Sequence, residues 1–186
     1  MPRITVHAIV LVFAAATSSQ VLACALHVFS PNSIFGPTYP GSLSVAAAVG
    51  NARSENRLPG APLDKGEAGL FRASIALKKL GRRFDAAAEI PRVDFFLIIA
   101  GQQMWTYYRV KKLSGQAEYA VHVHVAEPLH DVPVVVTSYF VVLALHNGDM
   151  TFTEAYDGGL IQVRNDKDGH IGSMFQETFS SRNQVS

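Results

Sequence analysis

Residues 138–165 read SYFVVLALHNGDMTFTEAYDGGLIQVRN, and the reading of this stretch decides the fold. Ser138 can cap a two-turn helix over 139–146, since its hydroxyl can take a backbone N–H left free in the first turn. That helix is apolar nearly all round, so it must be buried or must line an apolar cavity. Asn147-Gly148 ends it, glycine tolerating the left-handed geometry of a helix C-cap. Thr151 and Glu154 then have the spacing of a capping box, with Met150 and Ala155 at the flanking staple positions. Gly158-Gly159 closes this second short helix, and LIQVR (160–164) returns as a strand.

Working outward, NDKDG turns the chain, and Ile171, Phe175 and Phe179 recur every four residues as a closing helix. Upstream, VDFFLIIA, GQQ and MWTYYRVK read as strand, turn and strand. In AEYAVHVHVA, Tyr119, Val121, Val123 and Val125 alternate with Ala120, His122, His124 and Ala126, the pattern of a strand with two distinct faces. VPVVVTS supplies a fourth strand. Short connections predict that residues 93–137 form a four-stranded antiparallel meander, joined by residues 160–164. Before it, Leu70, Ala73, Leu77, Leu80 and Phe84 share one face of a helix over 66–88. Lys78, Lys79, Arg82 and Arg83 fall mostly off that face. They could contact anionic lipid headgroups or be a solvated helix surface; the sequence by itself favours the latter. SLSVAAAVGNARSENR reads as a further helix, capped by Ser42 or Ser44. The predicted class is α+β: a five-stranded, mainly antiparallel sheet covered by helices.

The 186 residues include 16 basic and 15 acidic side chains and one cysteine. This length fits one domain with a sizeable core. The near-zero net charge offers no basic face for nucleic acid. Residues 1–23 have a basic start at Arg3, an apolar stretch from Ile4 to Ala16, then small and polar residues, the pattern of a signal peptide. Cleavage after Ala23 or Ala25 is expected, giving a periplasmic or secreted protein. Cys24 follows VLA and could carry a lipid, in which case that anchor would be its contact with a membrane. One cysteine cannot form an internal disulfide. Residues 24–65 form an arm with one helix, 66–180 the α+β domain, and 181–186 a tail.

The element order resembles that of sterol carrier protein domains. The likeness is most specific in FVVLALHNGDMTFTEAYDGGLIQVRND, where Phe140, Leu143, Gly148, Met150, Ala155, Gly159, Leu160 and Val163 occupy the places of the family pattern. Trp105 also stands where such domains often carry a tryptophan. The link between fourth strand and apolar helix is shortened to TSYF, and residues 24–65 have no counterpart. The resemblance implies an apolar tunnel between the sheet and the two short helices, holding a lipid, acyl chain or sterol-like molecule. The expected lining is Trp105, Tyr107, Phe140, Leu143, Met150, Phe152, Ala155 and Leu160.

Two other functions are compatible with the sequence. His122 and His124 alternate onto one strand face roughly 7 Å apart at about 3.3 Å per residue. With Cys24 and His27 they could hold zinc or copper(I), for which thiolate and imidazole are suitable ligands. A structural or partner-binding envelope protein needs no ligand at all. Catalysis finds no footing: H-E-x-x-H, G-x-S-x-G, a phosphate loop and a dinucleotide fingerprint are all absent from the sequence. No enzyme activity, cofactor or nucleic-acid partner is therefore expected.

Overall fold

The structure is a computed structural model that describes residues 39–58, 67–87, 91–113, 116–129 and 131–180. The predicted signal peptide, Cys24, His27 and the 181–186 tail lie outside the described residues. In chain order the elements are α1 (Ser42–Ser54), α2 (Glu67–Ala86), β1 (Phe95–Ile99), β2 (Met104–Leu113), β3 (Gln116–Val123), β4 (Val134–Thr137), α3 (Tyr139–Asn147), α4 (Phe152–Asp157), β5 (Gln162–Arg164) and α5 (His170–Thr178). The class is α+β, a five-stranded mixed sheet with helices on both faces.

Sheet order is β3-β2-β1-β4-β5. β1–β2, β2–β3 and β4–β5 are antiparallel, whereas β1–β4 is parallel, with Leu97 opposite Val135. The expected meander therefore stops after three strands: β4 does not pair with β3 but crosses to the free edge of β1. Two physical reasons apply. All four residues of β4 are buried, so it needs an interior position with both faces covered. The outer edge of β3 is also partly occupied. Asp85 accepts the Tyr119 N–H at 2.8 Å, and Arg92 donates to the Ala117 carbonyl. Residues 124–133 give enough chain for the crossover.

Register sorts the side chains onto two faces, since directly paired residues point the same way. On the first face lie Phe95, Leu97, Tyr108, Tyr119, Val121, Val135 and Val163. α2 crosses it through Phe84, whose ring is 4.8–6.1 Å from those of Phe95, Tyr108, Tyr119, Phe175 and Phe179. The buried Tyr108 hydroxyl donates to the Leu77 carbonyl at 2.9 Å. The face expected for α2 is observed, with Ala73, Leu77, Leu80 and Phe84 buried and Leu70 partly so, while Lys78, Lys79 and Arg82 are exposed and Arg83 is half-buried. Close approach is permitted by Gly81: a Cβ there would lie 2.5 Å from Val121 Cγ2.

The second face carries Phe96, Ile98, Trp105, Tyr107, His122, Val134, Val136, Gln162 and Arg164. α1 covers part of it. Gln162 Nε2 donates to Ser44 Oγ at 2.8 Å, and a Cβ at Gly41 would collide with the Gln162 side chain. The start of α1 differs from expectation: Gly41 (φ 92°) is its N-cap, and neither serine caps it through its side chain. Ser44 Oγ instead donates to the Gly41 carbonyl at 2.9 Å. β5 is shorter than predicted, because Leu160 and Ile161 turn back so that both backbone N–H groups meet the Ala155 carbonyl.

Candidate functional site

The stretch quoted first folds as its caps dictate. Ser138 Oγ accepts the Val141 N–H at 3.3 Å, and Gly148 ends α3 in the left-handed conformation at φ 74°. Thr151 and Glu154 close a complete capping box: Thr151 Oγ1 accepts the Glu154 N–H at 3.2 Å, and Glu154 Oε2 accepts the Thr151 N–H at 2.8 Å. Gly159, at φ 68°, reverses the chain after α4. Two six-to-nine-residue helices are thus joined and released by left-handed glycines. They form the rim of the first face, where the Phe152 ring lies 5.5 Å from Phe175.

Of the eight expected lining residues, Phe140, Met150, Phe152, Ala155 and Leu160 are buried around α3 and α4. Leu143 is half-buried against the core. Trp105 and Tyr107 do share a face, as their spacing implies, but it is the second face. Tyr108, not Tyr107, is the β2 aromatic beneath α2. Trp105 packs edge-on against Tyr39 at 5.1 Å, and Tyr107 stacks on Phe96 at 4.6 Å. The eight residues are therefore divided: Trp105 and Tyr107 lie on the second face, and Phe140 also turns toward α1, with the Arg53 guanidinium 4.1 Å from its ring centre. Sequence alternation gives the shared face but not which face meets the short helices; only packing against Phe84 decides that.

Two open clefts occur at the surface. One, about 470 Å³, is lined by Tyr39, Pro128, Leu129 and Asp131. The other, about 370 Å³, lies beside α4 and β5 and is lined by Tyr156, Gly159 and residues 161–164.

Of the expected metal ligands, His122 and His124 lie among the described residues. His122 is exposed on β3, its ring 6.3 Å from Tyr107. His124 follows the last residue of β3 and adopts φ 59°, so the strand alternation ends before it. Among the described residues no group of three His, Cys, Asp or Glu side chains is placed to hold a metal ion. Among them, too, no helix is long and apolar enough to cross a membrane.

A basic corner was only half legible in the sequence. Arg83 Nη2 donates to the His146 carbonyl at 3.0 Å, joining the end of α2 to the last turn of α3. The His146 Nδ1 is buried, with no hydrogen-bond partner among the described residues. Burial, then Arg83, Lys79 and Arg82, hold the imidazole below its ordinary pKa. The spacing of 79, 82 and 83 showed one basic helix face; nothing in the sequence showed His146 meeting it.

Compared with protein-family models and with curated proteins, the chain matches none.

Proposed function

We propose that this is an exported, non-catalytic binding protein that holds an apolar ligand of lipid, fatty-acyl or sterol-like type between the sheet and α3–α4. The observation that carries this reading is the build of α3 and α4: two short helices, the first apolar nearly all round and the second burying Phe152 and Ala155, with a left-handed glycine after each, Gly148 and Gly159. Such segments separate from a core at lower cost than one long helix. The polar bonds between α4 and α5 include the Phe152 N–H to the Phe179 carbonyl at 3.0 Å and Thr153 Oγ1 to Gln176 Oε1 at 2.8 Å. The order of elements from α2 to α5 supports the likeness to sterol carrier domains. The ligand would take the space now filled by Met150, Phe152 and Leu160, with Leu143 at its entrance. Residues 1–23 would direct export, and Cys24 would be the place for a lipid anchor.

The test is uptake of a fluorescent fatty acid by the natively exported protein. The wild type should take it up, and Leu143→Trp should block uptake while leaving the fold intact. A wild type that takes up nothing, with Leu143→Trp destabilised by about 1–3 kcal/mol, would reject it. A second reading would then stand, a structural or partner-binding protein. One observation favours that reading: α3 buries Phe140, Val141, Val142, Ala144 and Leu145 together.

A further inference from the structure

Lys79, Arg82 and Arg83 stand three and four residues apart on α2, the spacing that places side chains side by side. They approach α3 where its last turn ends. Part of this is ordinary helix chemistry: Arg83 bonds the His146 carbonyl and meets the negative end of the α3 dipole. One guanidinium is enough for that. Lys79 and Arg82 remain exposed beside it, and like charges brought together repel unless an anion comes between them. Ion pairs among the described residues such as Arg57–Glu55 and Arg92–Asp85 involve neither. The charges acting on the His146 ring are all positive. One and two turns back along α3, Leu143 and Tyr139 are only partly buried. A cationic corner is thus continuous with an apolar strip.

We infer that Lys79, Arg82, Arg83 and the last turn of α3 form a seat for an anionic headgroup, so that the ligand is an anionic amphiphile whose chain enters beside Leu143. The inference rests on the apolar-ligand reading above and narrows it. Carboxylate and phosphate heads share the required chemistry, charge-assisted bonds from lysine and arginine. A neutral sterol would leave the seat empty.

Calorimetric titration of the full exported protein with dodecyl phosphate and with dodecanol tests it. The two probes have the same chain and differ in the head. The phosphate should bind at least about tenfold more tightly, and that advantage should shrink as salt is raised. Replacing both exposed cations, Lys79→Glu with Arg82→Glu, should lower dodecyl phosphate affinity by about tenfold or more. Lys111→Glu with Lys112→Glu, the same charge change on exposed β2 positions, should leave it unaltered. Circular dichroism confirms that each variant folds. Equal binding of phosphate and alcohol by the wild type would overturn the seat while the apolar-ligand reading stands. An equal loss in the two double variants would also overturn it, showing a general charge effect. Binding of neither probe would overturn the seat and the apolar-ligand reading together.

Discussion

The two faces of this sheet are both aromatic, and they use their rings differently. On the first face Phe84 stands at the centre, edge-on to five other rings contributed by β1, β2, β3, α5 and Phe179 just after α5. On the second, Phe96, Tyr107 and His122 stand in a row across three strands, stacked on their neighbours. Tyr107 and Phe96 are only partly buried, and Tyr107 donates to Asp94 beside it. The first arrangement ties helices to the sheet, because removing its centre unsupports every element at once. The second ties strand to strand and leaves water nearby. Aromatic content alone therefore does not locate a core; the number of elements that meet at a ring does.

The largest test of this difference compares Phe84→Ala with Tyr107→Ala. Phe84 is fully buried, and its truncation leaves a cavity lined by five rings, for an expected loss of about 3–5 kcal/mol. Tyr107→Ala gives up two half-exposed stacked neighbours, Phe96 and His122, and a water-accessible hydrogen bond, so a loss of only about 1 kcal/mol is expected. Urea unfolding of both variants measures the gap. Equal losses would mean that the second face is as much a core as the first.

A smaller effect sharpens the account of how closely α2 lies on the first face. At Gly81 an added Cβ would meet Val121 Cγ2 at 2.5 Å, and a β-branched strand residue has little freedom to move aside. Gly81→Ala should destabilise by about 1–3 kcal/mol through overpacking, despite alanine's better helix propensity. Among the described residues, Gly50 on α1 has nothing within 4 Å of such a Cβ, so Gly50→Ala should be neutral or stabilising by up to about 1 kcal/mol. Thermal unfolding of the pair decides it. Opposite signs are expected, and matching signs would show that propensity governs both positions.

These contrasts explain what could be read from the sequence. The caps of α3 and α4 were legible at Ser138, Gly148, Thr151 and Glu154, because each acts on backbone groups three or four residues away. The buried face of α2 was legible for the same reason, from a period of 3.6. The parallel pairing of β4 was not. VVVT reads as a strand whichever neighbour it takes, and the choice depends on Asp85 and Arg92 occupying the β3 edge from elsewhere in the chain. The candidate site divides in the same way. Phe152, Ala155 and Leu160 are buried within one short run of chain, where the Leu160 N–H returns to the Ala155 carbonyl, whereas Phe140 lies under Arg53 of α1. Trp105 and Tyr107 belong to the opposite face because Tyr108, one residue on, is taken by Phe84.

The joint between α3 and α4 gives a more local test. Thr151→Ala removes the oxygen that accepts the Glu154 N–H and frees the Glu154 carboxylate from the threonine hydroxyl, 3.0 Å away. A loss of about 1 kcal/mol is expected. If α4 opens separately from the sheet, the loss should appear mainly as faster amide exchange over 152–157, while the exchange of β1 and β2 changes little. A uniform increase across the sheet would show that α4 unfolds only with the whole molecule, as the Phe84 cluster does.

The least costly perturbation is a change of pH, and it acts at the corner where α3 meets α2. Burial, reinforced by Arg83, Lys79 and Arg82, lowers the His146 pKa below its ordinary value of 6.5. Between the lowered folded value and the unfolded one, the unfolded chain therefore binds more protons than the folded chain. Stability then rises with pH through that window and levels off above it. The contribution is fully present above the unfolded pKa and is lost as pH falls through the folded one. His146→Asn removes the titrating group and should flatten this part of the profile, leaving the acid limb that carboxylates create. Lys79→Ala with Arg82→Ala should shrink the window without abolishing it, because burial is the larger cause. Urea midpoints measured across the weakly acidic range check both variants. An unchanged slope in His146→Asn would assign the pH dependence to some other group and place His146 as freely hydrated as the exposed His122 on the second face.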